Sequence, residues 1–265
     1  MKKNLKTIAI NIILKAGKAL TKEYKEFKRS GAKLKSQREI VTKADLLSEK
    51  IIINQIGKNF PDHQILSEEA GRVNNNSDYL WVIDPLDGTT NFSMHNPLWS
   101  ISIALVYKGK IILGLVYAPL LDELYLTEKN QGAKLFSPPK SKTRKKLKVS
   151  RVTKGKILNT FCHGSSIKAT KRAIKYYTKQ KTTGFDCRQL GSAALELAYV
   201  ASGRIESIVI PGANAWDVAA GVLLVREAGG RVTDFFGREW NLNNKNIVAS
   251  NGKVHKSILN VLKKI

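Results

Sequence analysis

The segment Trp81 to Phe92 is WVIDPLDGTTNF: an apolar run that meets Asp84, Pro85, Leu86, Asp87 and then Gly88-Thr89-Thr90. Two carboxylates three residues apart repel each other if both stay ionised and converge. A protein accommodates such a pair by protonating one acid or by holding cations between them. Oxygen ligands without His or Cys select hard ions, so magnesium or manganese is the expected choice. Gly88-Thr89-Thr90 opens a turn or helix with free backbone N–H groups, and such an N-terminus binds phosphate. Acids for a cation beside donors for phosphate point to metal-assisted chemistry on a phosphate ester.

Three further acids, Asp45, Glu68 and Asp217, also lie where elements end. Sites are commonly assembled at such termini. Each acid has a plain structural reading. Asp45 can be a helix cap, Glu68-Glu69 a solvated loop pair, and Asp84-Pro85 and Asp87-Gly88 turn openers. Asp217 suits the positive end of a helix dipole. Singly, each plain reading suffices; together they weaken, because WVIDPLDG crowds two acids at the end of an apolar strand. The histidines (His63, His95, His163, His255) are scattered, without the i, i+4 spacing of a zinc helix. Cys162 and Cys187 form no CxxC and read as two reduced structural thiols.

The elements that must position these groups follow from periodicity and breakers. A first amphipathic helix covers roughly 4 to 29, followed by a basic polar loop to about Ile40. Thr42 caps a second helix, with Asp45 three residues on as in a capping box, and Pro61 stops it. HQILSEEAGR is a short strand into a loop, and YLWVIDP is a short buried strand that carries Asp84 near its end. SISIALVYKGKIILGLVYAPLLDELYLTEK predicts an antiparallel meander with a hairpin at Lys108-Gly109. The basic stretch SPPKSKTRKKLKVS suggests a boundary near 145. Residues 1–145 then form an α+β lobe carrying most of the acids, and 146–265 an α/β lobe carrying Asp217. In the second lobe, strands alternate with helices at SIKATKRAIKYYTKQ, GSAALELAYVASGR and WDVAAGVLLVREAGG, the last closed by its glycine pair.

The chain has 265 residues, 43% hydrophobic and 25% charged, which suits one large domain or two lobes sharing a core. No apolar run reaches the roughly 20 residues of a membrane span. The opening MKKNLKTIAINIILKAGKAL is broken by Asn11 and Lys15 and reads as an amphipathic helix rather than a signal peptide. The expected location is the cytoplasm. Forty-five Lys and Arg against 21 acids give a net charge of +24. That charge attracts anions, phosphate esters and nucleic acid alike. The lysines are spread along the chain without an RNA-recognition, zinc-finger or helix-turn-helix signature, so nucleic acid is the lesser expectation.

The segments VTKAD, SEEAG, WVIDPLDGTTNF, GSAALELAYVASG and WDVAAGVLLVREAGG together resemble the inositol monophosphatase family, in the family's order and across essentially the whole chain. DPLDGTTNF and WDVAAG…EAGG are the family's two highly specific signatures. The resemblance implies a layered αβαβα sandwich, an α/β (α+β) fold. It also implies a magnesium-dependent, lithium-sensitive phosphomonoesterase that holds two or three ions, and commonly a homodimer. Glu68, Asp84, Asp87 and the Leu86 carbonyl correspond to metal ligands; Asp217 binds a second metal with Asp84 and Asp87. Gly88, Thr89 and Thr90 correspond to the phosphate cradle. Thr89 pairs with Asp45 to orient the attacking water, so Asp45, Thr89 and Glu68 form the catalytic set. Asp87, Ser165, Gly191 and Ala193 fall where the family meets the organic part of the substrate. Lys35 is the nearest match to a lysine on a mobile segment of the family.

One departure is informative. Seven residues before Asp217, inositol-phosphate members usually place a glutamate that bonds a sugar hydroxyl; here the residue is Ile210. An apolar side chain there forfeits discrimination by that bond. The first expectation is therefore inositol 1-phosphate or another small polyol or sugar phosphate. Histidinol phosphate, 3′-phosphoadenosine 5′-phosphate and fructose 1,6-bisphosphate are the alternatives. A factor associated with RNA or transcription, or a non-catalytic metal-binding scaffold, are readings of other classes.

Overall fold

A computed structural model describes residues 5–28, 33–36, 39–73, 76–138, 144–155, 157–183 and 185–265, with side chains throughout except at 33–36 and 39–41. Five layers stack as helices, sheet, helices, sheet, helices. In the outermost layer, α1 (Leu5–Glu26) packs on α2 (Lys43–Asn59). Both lie on an eight-stranded sheet in the order β10-β9-β8-β7-β6-β5-β3-β4. Its strands are β3 (Gln64–Ser67), β4 (Gly71–Val73), β5 (Tyr79–Asp87), β6 (Ser100–Tyr107), β7 (Lys110–Ala118), β8 (Glu123–Glu128), β9 (Ala133–Phe136) and β10 (Arg144–Lys146). The middle layer is α5 (Ala193–Ala201) and α6 (Ala215–Glu227). A five-stranded sheet, order β12-β11-β13-β15-β14, follows. It contains β11 (Leu158–Phe161), β12 (Asp186–Arg188), β13 (Ser207–Pro211), β14 (Arg231–Thr233) and β15 (Asn246–Ser250). Helices α4 (Ile167–Thr182) and α7 (His255–Leu262) cover its far face.

Strand alternation assigns side chains to these layers. Trp81, Ile83, Ile101, Ile103 and Leu105 face α1 and α2. Val82, Ala104, Val106 and Val116 point the other way and meet α5, α6, Ile208 and Ile247 in a core shared by both sheets. Because both faces are covered, β5 and β6 are apolar at successive positions rather than alternating. This explains why YLWVI looks like an uninterrupted buried run.

The antiparallel meander and the Lys108-Gly109 turn are present as expected. Two details differ. The backbone of Lys33–Ser36 pairs with Glu39–Val41 as a small hairpin, β1 and β2, where a polar loop was expected. Strand β5 also runs two residues past its expected end at Pro85, through Asp87. Asp84 pairs with Ser102 and Asp87 with Ser100, so three steps on β5 oppose two on β6. That extra residue is a β-bulge at Pro85-Leu86, and a proline lacking its N–H is tolerated there. Among the described residues, no helix is long and apolar enough to cross a membrane.

Candidate active site

The bulge places its acids against three other elements. Strand β3 runs parallel beside β5, so the turn after it brings Glu68 alongside. Helices α2 and α6 pack on opposite faces of β5 and present Asp45 and Asp217 from their first turns. Both acids complete capping boxes. Thr42 N–H and Oγ1 donate to Asp45 Oδ2 at 2.8 and 2.6 Å, and Asn214 N–H donates to Asp217 Oδ2 at 2.7 Å. The capping reading of these acids therefore holds, but for Asp45 it uses only one oxygen. Its Oδ1 accepts from the Thr89 hydroxyl at 2.8 Å, bridging α2 to the segment after the bulge. Ser48, one turn along α2, donates to the Pro85 carbonyl at 2.7 Å and pins the bulge from the same side.

Asp84 is 2% exposed. Its carboxyl is pushed well above the ordinary range, first by burial and then by Glu68, Asp87 and Asp217. The four acids therefore share one electrostatic environment, and no side-chain cation is among the leading influences on Asp84. Among the described residues they form an open group: no three His, Cys, Asp or Glu side chains close into a ligand shell. Like charges so placed hold one another apart. The donors on offer are these carboxylates and the Leu86 carbonyl, oxygen alone, which suits a hard divalent cation. A buried anionic group of this kind needs protons or cations to offset it.

Asp87 is held differently. Ser192 Oγ donates to Oδ2, Ala194 N–H to the same oxygen at 2.8 Å, and Ala193 N–H to Oδ1 at 3.1 Å. Ser100 adds a longer bond of 3.3 Å. Burial raises the Asp87 carboxyl, and these bonds oppose the rise. Asp87 thus caps α5 from another strand, while Ser192, the residue at the N-cap position, makes no side-chain cap of its own. Asp45 is likewise raised by burial, against its bonds to Thr42 and Thr89.

Thr89–Ser93 forms the short helix α3, entered through Gly88 at φ 94°. Glycine is required there: a Cβ would lie 3.1 Å from the Gly191 carbonyl oxygen and 3.2 Å from that of Leu98, in a left-handed conformation L-residues rarely adopt. Asn91 Nδ2 donates to the Leu98 and Leu190 carbonyls at 2.6 and 2.8 Å, tying α3 to the chain before α5. Gly191 and Ala193 therefore adjoin the acids. Ser165 is exposed in the turn between β11 and α4, and no hydrogen bond joins it to the acids among the described residues. The Lys35 side chain lies outside what the structure describes. Ile210 is 2% exposed within the core shared by the sheets. Glu206 cannot serve as its polar stand-in, because its carboxylate accepts from Ser150 Oγ and Leu158 N–H at 2.9 and 2.8 Å.

Sequence reasoning missed Glu49. Buried one turn after Asp45, it accepts from Ser67 Oγ, from Glu69 N–H at 3.2 Å and from Ala70 N–H at 2.9 Å. These bonds fix both flanks of Glu68. The available signal was the i, i+4 spacing of Asp45 and Glu49, which places both on one helix face.

The model of the inositol monophosphatase family matches residues 1–265. The chain belongs to the inositol monophosphatase family. Within that family it is 40% identical over 257 residues to Nus factor SuhB of Pasteurella multocida, covering 96% of this chain and 93% of that one. It is 36% identical over 264 residues to inositol-1-monophosphatase of Mesorhizobium japonicum, covering 98% and 96%. The crystal structure of the extragenic suppressor protein suhB from Bartonella henselae superposes with a TM-score of 0.88 at 32% identity, covering 98% of both chains. The five-layer architecture is that of the family's solved members. Family membership supports a phosphatase, and the names of these relatives divide between an inositol-1-monophosphatase and a Nus factor.

Proposed function

We propose that the chain is a magnesium-dependent phosphomonoesterase acting on inositol 1-phosphate or a similar small polyol or sugar phosphate. The observation that carries this reading is the crowding of Glu68, Asp87 and Asp217 around buried Asp84, next to the Thr89–Asp45 hydrogen bond. Glu68, Asp84, Asp87, Asp217 and the Leu86 carbonyl would hold two or three magnesium ions, with manganese as substitute. Bound there, the ions would supply Lewis-acid stabilisation of the phosphoryl oxygens and acidify water. The remaining work falls to the chain. Thr89 Oγ1 gives its proton to Asp45, leaving a lone pair to accept one from water. Asp45, raised by burial, is a better base than an exposed aspartate. The water oxygen attacks phosphorus in line, the bond to the ester oxygen breaks, and the departing alkoxide takes a proton from solvent. Backbone N–H groups at Gly88, Thr89 and Thr90 hold the phosphoryl oxygens. Gly191, Ala193 and Ser165 meet the organic part, and Ile210, buried in the shared core, offers its hydroxyls no acceptor.

Magnesium-dependent phosphate release from a panel of esters tests the reading. Inositol 1-phosphate or a sugar phosphate should turn over best, and Asp87→Asn should abolish release while circular dichroism stays unchanged. Near-normal turnover by that variant would sink the metal assignment; a stronger response to histidinol phosphate, 3′-phosphoadenosine 5′-phosphate or fructose 1,6-bisphosphate would reassign the substrate.

A second reading rests on a different observation: relatives named Nus factor SuhB and a net charge of +24. It makes the chain a cytoplasmic, RNA- or transcription-associated factor. RNA binding that weakens with salt and survives Asp87→Asn would support it.

A further inference from the structure

We infer that Glu196 is a positioning residue that fixes the Leu190–Gly191 rim of the site and so sets affinity for the organic part of the ester. This rests on the phosphomonoesterase reading above.

Glu196 lies in α5 with none of its surface exposed. Its Oε1 accepts three hydrogen bonds: from Leu190 N–H at 3.1 Å, Gly191 N–H at 3.0 Å and Cys162 Sγ at 3.0 Å. Its Oε2 is buried without a hydrogen-bond partner. A carboxyl in such surroundings is costly, and an apolar residue of similar size would fill the space better. What an apolar residue cannot do is accept from the two backbone N–H groups before the helix.

Those groups sit at a junction. From the front, Asp87 accepts from Ser192 Oγ and from the N–H groups of Ala193 and Ala194. From the side, Asn91 donates to the Leu190 carbonyl. From behind, Glu196 accepts from Leu190 and Gly191. Residues 190–194 are thus clamped between two carboxylates and an amide. Gly191, at φ 89°, turns its carbonyl toward Gly88, where the phosphate cradle is proposed. Releasing the rear clamp frees this rim without touching the acids or the Thr89–Asp45 bond. Affinity should suffer before the chemical step does. The titratable groups facing Glu196 are the Cys162 and Cys187 thiols, with Asp87 beyond Cys162.

The test compares Glu196→Leu and Glu196→Gln with the wild-type enzyme in magnesium. Inositol 1-phosphate serves as the polyol ester and p-nitrophenyl phosphate as the ester with few contacts to the rim. In Glu196→Leu, KM for inositol 1-phosphate should rise about tenfold, while kcat, and both constants for the aryl ester, stay within about twofold. Glu196→Gln keeps an oxygen acceptor and should restore KM. A second readout does not need activity or the leucine variant. In wild-type protein, the amide resonances of Leu190 and Gly191 should shift as Glu196 ionises, and that titration should vanish in Glu196→Gln. Equal losses with both esters, no rescue by glutamine, or amide resonances that titrate identically in wild type and Glu196→Gln would overturn the inference. Wild-type protein that releases phosphate from no ester would instead overturn the functional reading on which it rests.

Discussion

Asp45 serves the fold and, in the proposed function, the chemistry with a single side chain. One Asp45 oxygen caps α2 through Thr42, and the other accepts from Thr89. Asp45→Asn should retain much of the cap and lose the base, cutting turnover about a hundredfold or more with little change in KM. A drop below threefold would remove Asp45 from the proton path. Glu196 supports a prediction about stability. Burial pushes its carboxyl up to about 7, whereas an unperturbed glutamate titrates at 4.5. Between those values the folded chain binds more protons than the unfolded chain, so this group's contribution to stability falls as pH rises through that window. Glu196→Gln removes the dependence. Urea unfolding at pH 4.5 and pH 8 should therefore show the variant gaining on wild type by on the order of 3 kcal/mol at the higher pH. A difference independent of pH would mean that Glu196 titrates alike in the folded and the unfolded chain.

The site at the level of elements is a bulge with three supports: α2, the turn after β3, and the N-terminus of α5. Gly88 is where the bulge meets the chain leading into α5. Gly88→Ala should cost roughly 1–2 kcal/mol from the left-handed backbone alone, before the push against the Gly191 carbonyl. It should also depress phosphate release. Denaturant unfolding beside a turnover assay checks both, and wild-type values for either would contradict the packing described. The local part of this arrangement was legible in sequence. Thr42 and Asp45 announced their capping box, and the order of Asp84, Pro85, Asp87 and Gly88 announced an unusual turn. The bulge was not legible, because it exists only in register with Ser100 and Ser102 of β6. Nor was the role of Asp87 as the cap of α5, since its bonds to Ser192, Ala193 and Ala194 span more than a hundred residues of chain. Glu49 and Glu196 were missed for a related reason. Each lies inside a helix, where spacing predicts its face but not the backbone N–H groups waiting opposite.

Over the whole molecule, five layers deliver two buried acids, Asp84 and Asp87, and two half-buried ones, Glu68 and Asp217, to one place within a strongly basic chain. While the layering was what the family resemblance implied, sequence periodicity supplied the helices and strands, alternating in the second half and forming a meander in the first. It could not supply the middle layer, in which α5 and α6 serve both sheets at once. The buried acids make stability depend on proton and cation together. Asp84 and Asp87 have raised carboxyls, so in the absence of cations their contribution favours the folded state at low pH and is lost as pH rises. Magnesium should compete with protons for the same oxygens, and it should raise the melting temperature more at pH 8 than at pH 5. Equal shifts at both pH values would place the bound ion away from these acids.

In the proposed function, ester hydrolysis depends on cations held by the carboxylates around Asp84. The most direct test is phosphate release from inositol 1-phosphate against magnesium concentration, for wild type and Asp84→Asn, with folding checked by circular dichroism. Wild type should show saturable magnesium-dependent release, and the folded variant none. Release by Asp84→Asn within about tenfold of wild type, at any magnesium concentration, would contradict it.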